Sequence, residues 1–172
     1  MRTATGRARA GWGAPCPHAT RDLDSGLLTA EAFRAVGGHV LRRAPRREAG
    51  CGLVCVQMPA PPPGAPARRG RAGRVRLAAG LLAAETRAED VLARTAPREL
   101  CALIVDADRA QVAEIAADVR AAFALFAALS RDEPGGQRAG AVLVGWAVLG
   151  DPADGGSDGL DGLWHAAQAA AR

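Results

Sequence analysis

The 172-residue chain has no lysine, no asparagine and no tyrosine, and its aromatics are three Trp and three Phe. All 22 basic residues are therefore arginine. Such a bias is that of a GC-rich coding sequence, so arginine richness alone carries no functional weight. With so few rings, the core has to be built from Ala, Leu and Val. No apolar run approaches the ~20 residues that a membrane-spanning helix needs. The first fifteen residues are rich in Arg, Gly and Ala and lack the apolar segment of a secretory signal. The expected setting is cytoplasmic, with no membrane partner. There is no C-x-x-C pair among Cys16, Cys51, Cys55 and Cys101, and Cys16-Pro-His18 is too short for a zinc knuckle. Neither a metal site nor a disulfide framework is expected. Cys55 and Cys101 sit in apolar runs and read as small core residues.

Half of the chain (49%) is apolar, enough for one domain of ordinary size. Charge is uneven. Residues 1–76 carry 14 Arg against 4 acids, and residues 77–172 carry 8 Arg against 14 acids. The basic cluster Arg68, Arg69, Arg71, Arg74 and Arg76 has no interleaved aromatic platform, so it reads as a solvated loop and not as a nucleic-acid surface. Ser25 and Ser157 read as caps. His39 and His165 lie on helices without a neighbouring nucleophile, and no nucleophile elbow or phosphate loop occurs.

Residues 1–20 lack periodicity and read as a disordered basic tail; residues 21–172 read as one domain. A helix starts at Thr29, with Phe33, Val36 and Val40 on one face and Gly37-Gly38 weakening its middle. Leu53–Val56 is a buried strand, and Pro59–Pro66 must be loop. A second helix runs from beyond Arg68 to about Thr86. Val91–Thr95 and Cys101–Val105 form a strand pair around Ala96-Pro97-Arg98-Glu99. Asp108 and Gln111 approximate a capping box, followed by the stripe Val112, Ile115, Val119, Phe123 and Phe126. After a polar linker (Ser130–Arg138) come a strand, Ala141–Leu149, and a last helix from Ser157 facing inward through Leu160, Leu163, Trp164 and Ala167. The expected class is α/β (α+β): a mixed central sheet of about five strands flanked by helices.

That order and several local words resemble the GGDEF domain of bacterial diguanylate cyclases. Asp22-Leu-Asp-Ser-Gly-Leu-Leu-Thr-Ala-Glu-Ala-Phe33 resembles the family's D-x-L-T-G-L-x-N-R-R-x-F. Leu53–Met58 stands at its first core strand, Gly73–Leu77 at G-D-x-x-L, and Val91–Leu100 at V-x-R-x-G-G-D-E-F. Leu143–Ala147 is similar to S-I-G-V-A, and Asp158–Arg172 to the family's terminal helix.

The resemblance implies a palm-like nucleotide-cyclase sheet, and its departures imply a degenerate one. The GGDEF turn corresponds to Ala96, Pro97, Arg98, Glu99 and Leu100. The family's metal carboxylates correspond to Gln57 and Arg98, and its guanine-reading acid to Arg74. Hard divalent cations need oxygen anions, which an amide and a guanidinium do not supply. Two glycines have become Ala96 and Pro97, and Pro97 fixes φ and removes a donor. The implied domain has no cyclase activity, no cofactor and no metal.

One word survives. The family's inhibitory site is an R-x-x-D five residues before the turn, and Arg87-Ala-Glu-Asp90 occupies that place, with Arg120 (or Arg109) as the second arginine. An arginine fork suits phosphate or the guanine edge, and a carboxylate accepts guanine N–H donors. The implied ligand is cyclic di-GMP, bound by a signalling domain that also has an unidentified protein partner and forms a homodimer where the ligand bridges two copies. The alternative is a scaffold or interaction domain that binds no ligand.

Overall fold

The structure, a computed structural model, describes residues 20–43, 50–60, 69–129, 141–151 and 159–171. Most of the expected basic tail, the linker Ser130–Arg138, the cap Ser157, Cys16, His18 and the side chain of Phe126 lie outside them. A five-stranded mixed sheet is flanked by helices. In chain order the elements are β1 (Leu28–Thr29), α1 (Ala30–Arg43), β2 (Gly50–Gln57), α2 (Arg69–Ala84), β3 (Val91–Ala96), β4 (Glu99–Ala107), α3 (Arg109–Leu129), β5 (Leu143–Val148) and α4 (Gly159–Ala170). The spatial order is β1-β3-β4-β2-β5, with β1 parallel to β3 and every other pairing antiparallel. Among the described residues, no helix is long and apolar enough to cross a membrane.

Both faces of the sheet are covered, and this explains why the central strands read as unbroken apolar runs. Val54, Val56, Leu100, Ala102 and Ile104 point to the face closed by α2 (Ala78, Ala79, Leu82) and α3 (Val112, Ala116, Val119, Phe123). Their neighbours Cys51, Leu53, Cys55, Cys101 and Leu103 point to the other face, under Phe33 of α1 and Leu160, Leu163, Trp164 and Ala167 of α4. Phe33 and Trp164 meet edge to face, with ring centroids 6.2 Å apart, a geometry that aligns ring edge with ring face.

Local chemistry sets the element ends. Asp108 and Gln111 form a complete capping box: Gln111 N–H donates to Asp108 Oδ1 at 2.8 Å, and Asp108 N–H to Gln111 Oε1 at 2.9 Å. Gly37 has the opposite role to the weak point expected from sequence. A Cβ there would sit 2.9 Å from Leu160 Cδ2, so the missing side chain lets α1 press onto α4. Gly145 is stricter still, because a Cβ would overlap the backbone of Ala167 and Ala171. The two-residue β1 was not among the expected strands; it forms because Leu28 and Thr29 find partners in Ala93 and Arg94.

Candidate functional site

The β3–β4 turn consists of Pro97 and Arg98 alone, so both strands run further than the sequence pattern suggested. Pro97 holds φ near −65°, and neither turn residue takes positive φ. Two-residue hairpin turns favour the mirror-image types with positive φ. Here the ladder instead slips between Arg94 and Ala96, which absorbs the mismatch.

Glu99 is the first residue of β4, paired with Gln57 at the end of β2. Its side chain turns inward, under α4, and the residue is only 2% exposed. Four neutral N–H and O–H groups donate to its carboxylate, and the Cys101 thiol also donates to Oε1 at a longer 3.8 Å. Thr95 Oγ1 (2.5 Å) and Trp164 Nε1 (3.0 Å) donate to Oε1, while Gln168 Nε2 (2.7 Å) and Gln57 Nε2 donate to Oε2. A buried carboxylate is costly unless it is hydrogen-bonded, and this one is saturated by donors from β2, β3 and α4. Glu99 thus ties the hairpin to the last helix.

Arg94, one strand residue before Thr95, makes a second clamp. Its Nη1 donates to Asp22 Oδ1 and Oδ2 and to Asp24 Oδ2, each at 3.0 Å, and its Nη2 donates to the Pro97 carbonyl at 3.0 Å. The guanidinium-bearing side chain is only 9% exposed. Burial alone would push the Asp22 carboxyl up, yet hydrogen bonds from Arg94 and Ser25 hold it below its usual range. Burial likewise opposes the charge on Arg94, and Asp22 and Asp24 outweigh it. Asp22 also accepts from Ser25 N and Oγ at 2.8 Å, closing the turn in which Gly26 takes φ +76°. Ser25 is the turn cap the sequence suggested.

A cleft of about 420 Å³ opens at this end of the sheet, lined by Gln57, Met58, Pro59, Arg98, Ala141, Leu143, Gln168 and Ala171. Gln57 and Arg98, which the sequence resemblance sets against the family's metal carboxylates, are together in it. Gln57 is held by Glu99, and Arg98 is exposed. These residues do not fit a divalent cation: the first offers an amide, the second a fixed positive charge. A divalent cation 4 Å from Arg98 would be repelled by about 8 kcal/mol at an effective dielectric of 20. Arg74 lies exposed on α2, away from the cleft lining.

Arg87 and Asp90 lie at the other end of the sheet. Asp90 Oδ2 accepts from Arg87 N–H at 2.8 Å, and Oδ1 from Val105 N–H at 3.0 Å. Val105 is six residues along β4 from Glu99, a separation on the order of 20 Å. Asp90 is buried and Arg87 exposed. Arg120 is not brought to them: it donates to the Val144 carbonyl on β5 at 3.0 Å, across β4 and β2 from β3. Arg109 is also drawn to β5, pairing with Asp151 and stacking 4.8 Å over Trp146. Sequence reasoning missed Arg94, Trp164 and Gln168 as site residues. For Glu99 a signal existed: with a period of two, it shares a face with Cys101 and Leu103, which is an inward face.

No family model matches the sequence, and no curated protein does. The fold is nonetheless that of a palm-like α+β sheet, and solved structures define it further. A GGDEF-family protein of Caulobacter crescentus superposes with a TM-score of 0.67 at 19% identity, covering 89% of this chain and 96% of that one. The GGDEF domain of DgcB from the same organism, solved with c-di-GMP, gives 0.65 at 15% identity over 98% and 90%. The FimX GGDEF domain of Pseudomonas aeruginosa gives 0.63 at 17% over 88% and 91%. The chain has the GGDEF-domain fold.

Proposed function

We propose that this chain is a catalytically inert, GGDEF-like signalling domain of the cytoplasm, its folded unit beginning near residue 21, that binds cyclic di-GMP through Arg87. The observation that carries the inert reading is the fate of the turn's carboxylate. Glu99 is sealed beneath α4 by four donors, and what faces the cleft in its place is Arg98. Joining two nucleoside triphosphates requires positive charge on the phosphates. Residues that would gather metal ions for that purpose are an amide and a guanidinium here.

Support for ligand binding comes from the Arg87–Asp90 turn. Asp90 holds the Arg87 and Val105 amides, which fixes the backbone from which the exposed Arg87 projects. Each carboxylate oxygen has more than one acceptor site, so Asp90 retains capacity for a guanine N–H. The DgcB domain, whose fold this chain shares, is solved with c-di-GMP. Arg120 is engaged at β5, so a second arginine from another copy of the chain completes the site in a ligand-bridged dimer.

Calorimetric titration with cyclic di-GMP tests this reading. The expected result is binding in the micromolar range, abolished by Arg87→Ala, with an unchanged melting midpoint for the free variant. The absence of binding in wild type at high ligand concentration would replace it with the interaction-domain reading, and a pull-down would then identify the partner.

A further inference from the structure

Cys55 and Cys101 face each other across the two central strands, with their Sγ atoms 3.1 Å apart and both residues fully buried. The ladder register determines what this pair can become. Met58 N–H donates to the Arg98 carbonyl, which marks that position as a hydrogen-bonded pair. Alternation along the antiparallel ladder then makes Cys55 and Cys101 a non-hydrogen-bonded pair. The bond from Leu149 N–H to the Cys51 carbonyl gives the same parity from the β5 side. Non-hydrogen-bonded pairs have Cα atoms ~4.5 Å apart and the closest side chains, within the ~4.4–6.8 Å span of disulfides.

We propose that Cys55 and Cys101 are an oxidative modification site: a low-molecular-weight disulfide such as oxidised glutathione converts them to an intrachain disulfide that joins β2 to β4. The thiolate of one cysteine attacks the oxidant's disulfide and expels one glutathione thiolate. The second cysteine's thiolate then attacks the protein-side sulfur of the mixed disulfide and expels the other. The protein loses two electrons and two protons, and the oxidant is reduced to two thiols. Closing the S–S distance from 3.1 Å to a bond of ~2.05 Å needs a contraction of only about 1 Å. Cys51 does not compete, because it lies four residues along the same strand, about 13 Å away.

Access limits the rate. The pair lies in the layer capped by Trp164 and Ala167, and burial beside Cys55 holds the Cys101 thiol well above the usual cysteine range. The disulfide therefore forms on opening of the fold or during folding, not by attack on the closed native state.

The test is to refold the full chain from urea in a glutathione redox buffer, alkylate, and map by mass spectrometry. The expected product has two of the four thiols protected, a link between the peptides bearing Cys55 and Cys101, and a melting midpoint about 5–10 °C above the reduced protein. Cys55→Ala and Cys101→Ala should each lose the link. A Cys16→Ala/Cys51→Ala variant, which leaves the pair intact, should keep it and serves if either single variant does not fold. Full alkylation of both thiols after equilibration, a link through Cys16 or Cys51 instead, or a linked protein that melts below the reduced one would overturn the proposal.

Discussion

The two ends of the sheet each bury a carboxylate, and they use it differently. At the turn end, Glu99 is bound by side chains from three elements, Thr95, Trp164, Gln168 and Gln57. At the far end, Asp90 is bound by two backbone amides, those of Arg87 and Val105. The side-chain network encloses its acid and leaves nothing for a ligand. The backbone arrangement fixes a short turn and leaves Arg87 projecting beside it. A carboxylate in the β3–β4 turn is thus evidence of chemistry only if its oxygens face the cleft. Here Glu99 faces the core.

The largest expected effect is at Glu99. Replacing it with Ala strands four donors, most of them shielded from water, and should cost about 3–4 kcal/mol in urea unfolding. Glu99→Gln should lose less, because one amide oxygen can still accept. A variant as stable as wild type would show that Glu99 is not the clamp described. Asp90→Ala should cost about 2 kcal/mol, since two partly buried amides lose their acceptor, whereas Asp90→Asn keeps one of them and should cost roughly half that. Arg87→Ala should change stability by under about 0.5 kcal/mol, because its backbone and not its side chain is tied down. If Arg87→Ala destabilised the fold as much as Asp90→Ala does, the distinction between a structural acid and a projecting base would collapse.

A smaller, pH-dependent effect belongs to Asp22 at the turn end. Its carboxyl is depressed in the folded state, burial being outweighed by the Arg94 and Ser25 hydrogen bonds. Its contribution is therefore present above the unfolded value of ~3.9 and is lost as pH falls through the lower folded value. The difference in thermal midpoint between wild type and Asp22→Asn should be full above about pH 4 and shrink as pH falls further, through the depressed folded value. Equal differences across that range would show that the carboxylate's charge does not matter to the clamp.

Much of the fold was legible in the residues. The run Leu53–Val56 is a fully buried strand, the Asp108–Gln111 box makes both of its bonds, and Leu160, Leu163, Trp164 and Ala167 are the buried face of α4. Cys55 and Cys101 are core residues, as their apolar surroundings indicated. What escaped the sequence depends on long-range contact. β1 is two residues long and has no periodicity to detect; only pairing with β3 defines it. Gly37 looked like a flaw because its value lies in the neighbouring α4. Arg94 meets Asp22 across 72 positions, and no local pattern foretells that clamp. In the candidate site, the placement of Gln57 and Arg98 in one cleft followed from the resemblance to the GGDEF turn. The remoteness of Arg120 did not, because which strand a helix side chain reaches is decided by sheet order.

Under the proposed function, the turn end of the sheet performs no nucleotidyl transfer. The most direct measurement is incubation of the purified chain with GTP and Mg²⁺ or Mn²⁺, with products separated by chromatography. The expected result is unconsumed GTP and no cyclic di-GMP at any protein concentration. Formation of cyclic di-GMP that is lost on Glu99→Gln would contradict it, and would mean that Glu99 leaves its donors to face the substrate.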